Sequence, residues 1–135
     1  MTLQEIYTRV VTHLFTQSRV SQQPVDNMFE CQYVSRDGTS CAVGCLIQPR
    51  YYTRSVEGYT PADTPVQSAL QKSGVLDTDE SNELRRDKIR LLTELQTIHD
   101  AFYARADWPW DKTVTKLLER GRHFHLAWPQ GVPHA

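Results

Sequence analysis

The stretch Phe29-Glu-Cys-Gln-Tyr-Val-Ser-Arg-Asp-Gly-Thr-Ser-Cys-Ala-Val-Gly-Cys-Leu-Ile47 constrains the fold of this sequence more than any other part of it. It holds all three cysteines, the only Asp-Gly pair and the densest apolar run. Phe29, Cys31 and Tyr33 alternate with Glu30 and Gln32, the period of a half-buried strand. Asp37-Gly38 is a two-residue hairpin turn signal, because both central positions of such a turn need positive φ. Cys41 to Ile47 then reads as a second, mostly apolar strand, stopped by Gln48 and Pro49. With Asp37 and Gly38 as the turn, Arg36 pairs with Thr39, Tyr33 with Ala42, Cys31 with Gly44 and Glu30 with Cys45. Residues opposite each other share a face, so Cys31 lies on one face and Cys41 and Cys45 on the other. A second reading starts a helix at Cys41 with Ser40 as its cap. Cys41 and Cys45 are neighbours in either case, since residues i and i+4 share a face in both structures.

A chain of 135 residues suits one domain, 1–135, with a core that needs no staples. The formal net charge of −1 leaves no bulk electrostatic case for nucleic acid or an anionic membrane. No apolar run approaches the roughly 20 residues that span a bilayer. The first residues lack the basic and apolar regions of a signal peptide. The expected compartment is the cytoplasm, where three cysteines stay reduced.

Thr2-Leu-Gln-Glu5 is a capping box. Behind it Leu3, Ile6, Tyr7, Val10, Val11 and Leu14 form one helical stripe ending near Gln17. Ser18 to Asn27 is polar, contains Pro24 and reads as a loop. Residues 48–64 are irregular and carry Tyr51, Tyr52 and Tyr59, an aromatic loop suited to ligand stacking or a protein interface. Thr64-Pro65 opens a short helix and Gly74 closes it. The longest helix is predicted over about residues 80–105, with Leu84, Leu91, Leu95, Ile98 and Phe102 as its seam and Ile89 and Leu92 widening it. Trp108 and Trp110 flank Pro109 in a turn and form a candidate aromatic anchor. A last helix, about 111–121, turns Val114, Leu117 and Leu118 inward. The tail beyond about residue 127 is expected to fray. The predicted class is therefore α+β: a β-hairpin or small antiparallel sheet packed against three to four helices.

Three constellations carry candidate chemistry. Cys41 or Cys45 as nucleophile with His99 as base would make a small hydrolase or transferase, since a thiolate needs a base or cation to react at neutral pH. Adjacent residues on a helix point about 100° apart, which places Asp100 badly for orienting His99. Cys31, Cys41, Cys45 and His99 form a Cys₃His set for zinc, although their spacing is not that of common fingers or ribbons. Arg50, Tyr51, Tyr52, Glu57 and Tyr59, with Trp108 and Trp110, form a ligand- or partner-binding set; Arg50 and Arg54 could grip a phosphate while the tyrosines stack on a base. No Walker loop and no G-x-G-x-x-G are present. No cofactor is expected, with zinc the one candidate.

The run Asp37-Gly-x-x-Cys-Ala-x-Gly-Cys-Leu-Ile47, preceded by Cys31-x-Tyr33 and followed by Glu57-Gly58 and Leu95-Gln-Thr-Ile-His-Asp100, resembles a group of small uncharacterised proteins encoded by tailed bacteriophages and prophages. The likeness extends to about residue 118; Gln48 intervenes where proline would follow Ile47 directly. The resemblance implies a phage or mobile-element origin and a cytoplasmic setting in an infected or lysogenic bacterium. It carries no activity. It marks Cys31, Cys41, Cys45, Glu57, His99 and Asp100 as signature positions, serving either a site or close packing of small residues. The expected function is a non-enzymatic accessory protein that binds and neutralises a host component, either an antiviral-defence protein or its nucleotide signal. The alternatives are the cysteine/histidine enzyme and a zinc-stabilised module. The expected partner is thus a host protein or a small nucleotide, with nucleic acid and membrane disfavoured and monomer or homodimer both open.

Overall fold

Among the described residues, four α-helices carry the hydrophobic core: α1 (Leu3–Gln17), α2 (Thr64–Lys72), α3 (Asn82–Ala104) and α4 (Trp110–His123). The computed structural model describes residues 1–17, 22–25, 28–36, 38–104 and 110–133, with 22–25, 28–31, 102–104 and 110 described by their backbone alone. The capping box forms as expected: the Thr2 amide donates to Glu5 Oε1 and the Glu5 amide to Thr2 Oγ1, each at 3.1 Å. Behind it Ile6, Tyr7, Val10, Val11 and Leu14 are buried against α3, which packs in turn on α4. The Tyr7 hydroxyl locks α1 to α4 by donating to the Leu117 carbonyl at 2.6 Å.

The C-terminal sign of α2 is present, while at its N-terminus Asp63, not Thr64, takes the cap position and makes no side-chain cap bond. Pro65 sits in the first turn. At the other end Gly74 has φ +80°, and the amides of Gly74 and Val75 donate back to the carbonyls of Gln71 and Leu70, which satisfies two otherwise orphaned acceptors. Along α3 Leu91, Leu92 and Leu95 are buried, but Leu84 is 36% exposed and Lys88 takes the inward position on that face.

The α+β expectation is corrected. The fold is all-α: among the described residues the helices cover no sheet beyond one two-stranded ribbon. The strands among the described residues form one short antiparallel ribbon, β1 (Gln22–Val25) and β2 (Met28–Cys31), pairing Gln22 with Cys31 and Val25 with Met28. It lies partly in the stretch read as a loop, and the helices pack on one another rather than on it.

The predicted 29–47 hairpin keeps only its turn. Val34 and Ser40 form an isolated bridge, and the Ser35 amide donates to the Thr39 carbonyl at 2.8 Å. That places three residues in the loop, with Gly38 at φ +88°, as in hairpins whose last loop residue is left-handed. The register is therefore one residue away from the Arg36–Thr39 and Tyr33–Ala42 pairing. Asp37 lies outside the described residues.

Beyond Cys41 the chain coils instead of extending. The Cys45 amide donates to the Cys41 carbonyl at 3.1 Å, and a 3₁₀ turn, Gly44–Leu46, follows. Cys41, Ala42, Val43, Leu46 and Ile47 are all buried, and a run buried on every side has no period to separate strand from helical turn. Two more 3₁₀ turns, Pro49–Tyr51 and Arg54–Val56, lead to α2. After α4 the tail returns to α1. Gln4 exchanges two 2.9 Å hydrogen bonds with the backbone of Ala127, and the Trp128 ring meets Tyr7 and Phe15 edge-on.

Candidate functional site

A cleft of about 290 Å³ opens where the tyrosine loop meets the polar side of α3. One wall is built around Glu57. Its Oε1 accepts the Tyr33 amide at 2.8 Å, and its Oε2 accepts the Val34 amide at 3.2 Å and the Tyr52 hydroxyl at 2.5 Å. Arg54 donates to the Val34 carbonyl at 2.6 Å. The Tyr33 hydroxyl donates to the Tyr59 carbonyl. Burial raises the phenols of Tyr33 and Tyr52 well above their ordinary range, and the hydrogen bond to Glu57 raises Tyr52 further. Both phenols are therefore held as donors, and the loop is stitched to residues 33–34 by bonds that leave neither carboxylate oxygen of Glu57 idle.

The other wall comes from α3. Thr93, Gln96, Thr97 and Asp100 fall at spacings of three and four, so they share a face. Asp100 Oδ1 accepts Gln96 Nε2 at 2.8 Å and lies 3.0 Å from His99 Nδ1. Gln96 Oε1 accepts the Val43 amide at 3.2 Å, tying this wall to the coil after Cys41.

The residues selected from sequence divide sharply. Glu57 and Tyr59 line the cleft, and Tyr52 buttresses it. Arg50 does not line it; its guanidinium lies over the Tyr51 ring, 4.9 Å from the centroid, and Arg50 Nε donates to Gln48. Trp108 and the side chain of Trp110 lie outside the described residues. Gln32, Thr93, Gln96 and Thr97 were not selected. For Thr93, Gln96 and Thr97 the one signal is a polar stripe on α3, which looks the same in sequence whether it faces a cleft or open solvent; Gln32, outside α3, carries only its alternation with Cys31 and Tyr33.

The thiols are packed. Cys41 is fully buried, accepts the Gly44 amide at 3.3 Å, and is pushed well above the ordinary thiol range by burial. Cys45 donates to the Ala42 carbonyl at 3.2 Å, and burial pushes its thiol up to about 12. Neither lines the cleft. In the folded protein both are expected to resist iodoacetamide at neutral pH and to alkylate fully once unfolded in guanidinium, because the thiolate is the nucleophile. Peptide mass spectrometry after each treatment separates them from Cys31; rapid labelling of Cys41 or Cys45 in the native state would contradict this packing.

His13 and Ser40 form the closest thing to a hydroxyl–imidazole pair, with Nε2 3.1 Å from Ser40 Oγ. The same nitrogen lies 2.8 Å from the Ser40 carbonyl. A carbonyl only accepts, so that nitrogen carries the proton and is not a base toward the hydroxyl. For zinc, Cys41, Cys45 and His99 belong to no group of three or more His, Cys, Asp or Glu that could hold a metal ion among the described residues, and the Cys31 side chain lies outside them. Among the same residues no helix is long and apolar enough to cross a membrane. No protein-family model, curated protein or solved structure matches this chain.

Proposed function

We propose that this chain is a non-enzymatic accessory protein, of the phage type its 37–47 motif resembles, that binds and neutralises a host component in the cleft between the tyrosine loop and α3. The observation that supports this reading is the construction of the cleft. Its loop wall is fixed in advance by the engaged carboxylate of Glu57, which lowers the ordering cost of binding. Among the described residues the lining contains hydroxyls, amides and carboxylates but neither a thiol nor a histidine. Both oxygens of Glu57 are already engaged in holding the wall, which supports recognition of a partner there. With Glu57 and Asp100 in the walls and no lysine or arginine lining them among the described residues, a host protein fits better than an anionic nucleotide signal.

The test is a phage-challenge assay in bacteria carrying a panel of defence systems. Expression of the chain is expected to restore plaque formation against at least one system. The folded Tyr59→Ala variant, altered only at the rim of the cleft, is expected to lose the effect. Unchanged defence across the whole panel, or full activity of Tyr59→Ala, would count against the reading.

A further inference from the structure

We infer that the cleft is built to take the guanidinium of an arginine side chain presented by the partner, with Gln32 and Asp100 as acceptors and Tyr59 as the stacking face. The inference deepens the binding role proposed above and rests on that cleft being the site. It comes from asking which hydrogen-bonding capacity in the cleft the fold has not already used.

The most informative residue is Gln32. It is only 8% exposed, lines the cleft, and its side-chain amide has no hydrogen-bond partner among the described residues. Its side-chain nitrogen and oxygen are not themselves buried but open to the cleft, where a ligand can engage them. Beside the two N–H donors of the Gln32 amide, much of the remaining capacity is that of acceptors. The hydroxyls of Thr93 and Thr97 donate back along α3 to the carbonyls of Ile89 and Thr93, at 2.8 and 2.9 Å, so only their lone pairs face outward. Asp100 uses Oδ1 on Gln96 and His99, leaving Oδ2 without a partner among the described residues. Glu57 adds negative charge while both its oxygens stay engaged.

A negative site with unused acceptors and, among the described residues, no lining cation favours a cationic group that only donates. Guanidinium offers five N–H donors in one plane and no acceptor. An ammonium is a compact point charge and reaches fewer of several spread acceptors. Guanidinium also stacks on aromatic faces, and the Tyr59 ring, half exposed at the rim, supplies one. A nucleotide requires cations for its phosphate, and no lysine or arginine lines the cleft among the described residues.

The probe is N-acetyl-arginine amide, titrated into the isotope-labelled protein and followed by NMR, with N-acetyl-lysine amide and guanosine monophosphate in parallel. Saturable shifts are expected at the Gln32 side-chain amide and at the backbone amides of Tyr59 and Asp100. They should be weaker with the lysine probe and absent with the nucleotide. Asp100→Asn and Gln32→Leu, checked for native spectra, should each weaken binding by about tenfold, as for loss of one hydrogen bond to a charged group. Arginine-probe shifts that are absent, or that persist unchanged in both variants, would overturn the inference. Tighter binding of the nucleotide at the same resonances would overturn it too. The titration is independent of the phage assay: arginine binding without any effect on defence would refute the proposed function alone. Loss of defence inhibition in Tyr59→Ala without arginine binding would refute the ligand class alone.

Discussion

Replacing Gly44 with alanine is expected to destabilise the protein by about 3 kcal/mol or more, at the upper end of the cost of overpacking a core, and to lower Tm by about 10 °C. An added Cβ at this position would lie 1.8 Å from the Tyr33 carbonyl oxygen and 2.5 Å from its carbonyl carbon. Both atoms are backbone, so no rotamer change relieves the clash. Nor is the Tyr33 segment free to retreat. Its carbonyl accepts the Cys41 amide at 3.0 Å, its own amide is held by Glu57, and Val34 is bridged to Ser40. Gly44 is thus required for space, not for a left-handed backbone. Because Tyr33 also forms part of the cleft wall, the substitution is expected to weaken the site as well as the core. Thermal melting followed by circular dichroism checks it; a Gly44→Ala protein melting within a few degrees of the parent would mean that the coil after Cys41 yields easily.

What could be read from the sequence was what local chemistry dictates. The Thr2–Glu5 box, the stripe from Ile6 to Leu14 and the Pro65 and Gly74 punctuation of α2 depend on neighbours three or four residues away, and they appear where expected. The coil after Cys41 was illegible for the opposite reason. Its apolar residues are buried on all sides, and Gly44 reads equally as a bulge, a turn or a contact until Tyr33 is placed against it. The β1–β2 ribbon was hidden by Pro24 and by polar composition, which resemble a loop unless both strands of a ribbon are edges, where proline is tolerated. At the site, Glu57 and Tyr59 stood out through their motif and loop. Gln32 did not, because the alternation with Cys31 and Tyr33 assigned it to the solvent face, whereas in the fold Gln32 and Tyr33 line a cleft with α3.

Lys88→Met is expected to cost about 3–5 kcal/mol, the range for removing one member of a buried ion pair, with Tm falling by about 10–20 °C. The seam predicted for α3 put Leu84 inward, but the position that turns inward belongs to Lys88, whose side chain is 1% exposed. Its Nζ lies 2.5 Å from Glu80 Oε1, itself on a side chain only 3% exposed, and donates to the Val75 carbonyl at 3.0 Å. This one ammonium fastens the segment between α2 and α3 to the long helix. Asp77, at 3.7 Å, is largely exposed, and a screened pair of that kind adds little. Methionine keeps the length of the side chain and removes the charge. Glu80 is then left buried with only the Arg85 guanidinium nearby, 3.7 Å from its Oε2, and the Val75 carbonyl loses its donor. The cost therefore comes chiefly from the stranded carboxylate, not from the lost attraction. That origin has its own signature: adding Glu80→Leu to Lys88→Met should restore most of the lost stability, since apolar replacement of a whole buried pair is often neutral. Urea unfolding of the two single variants and the double variant closes the cycle. A double variant as unstable as the sum of the singles would show that the two side chains act independently, and a Lys88→Met protein within about 1 kcal/mol of the parent would show that Arg85 alone suffices to hold Glu80.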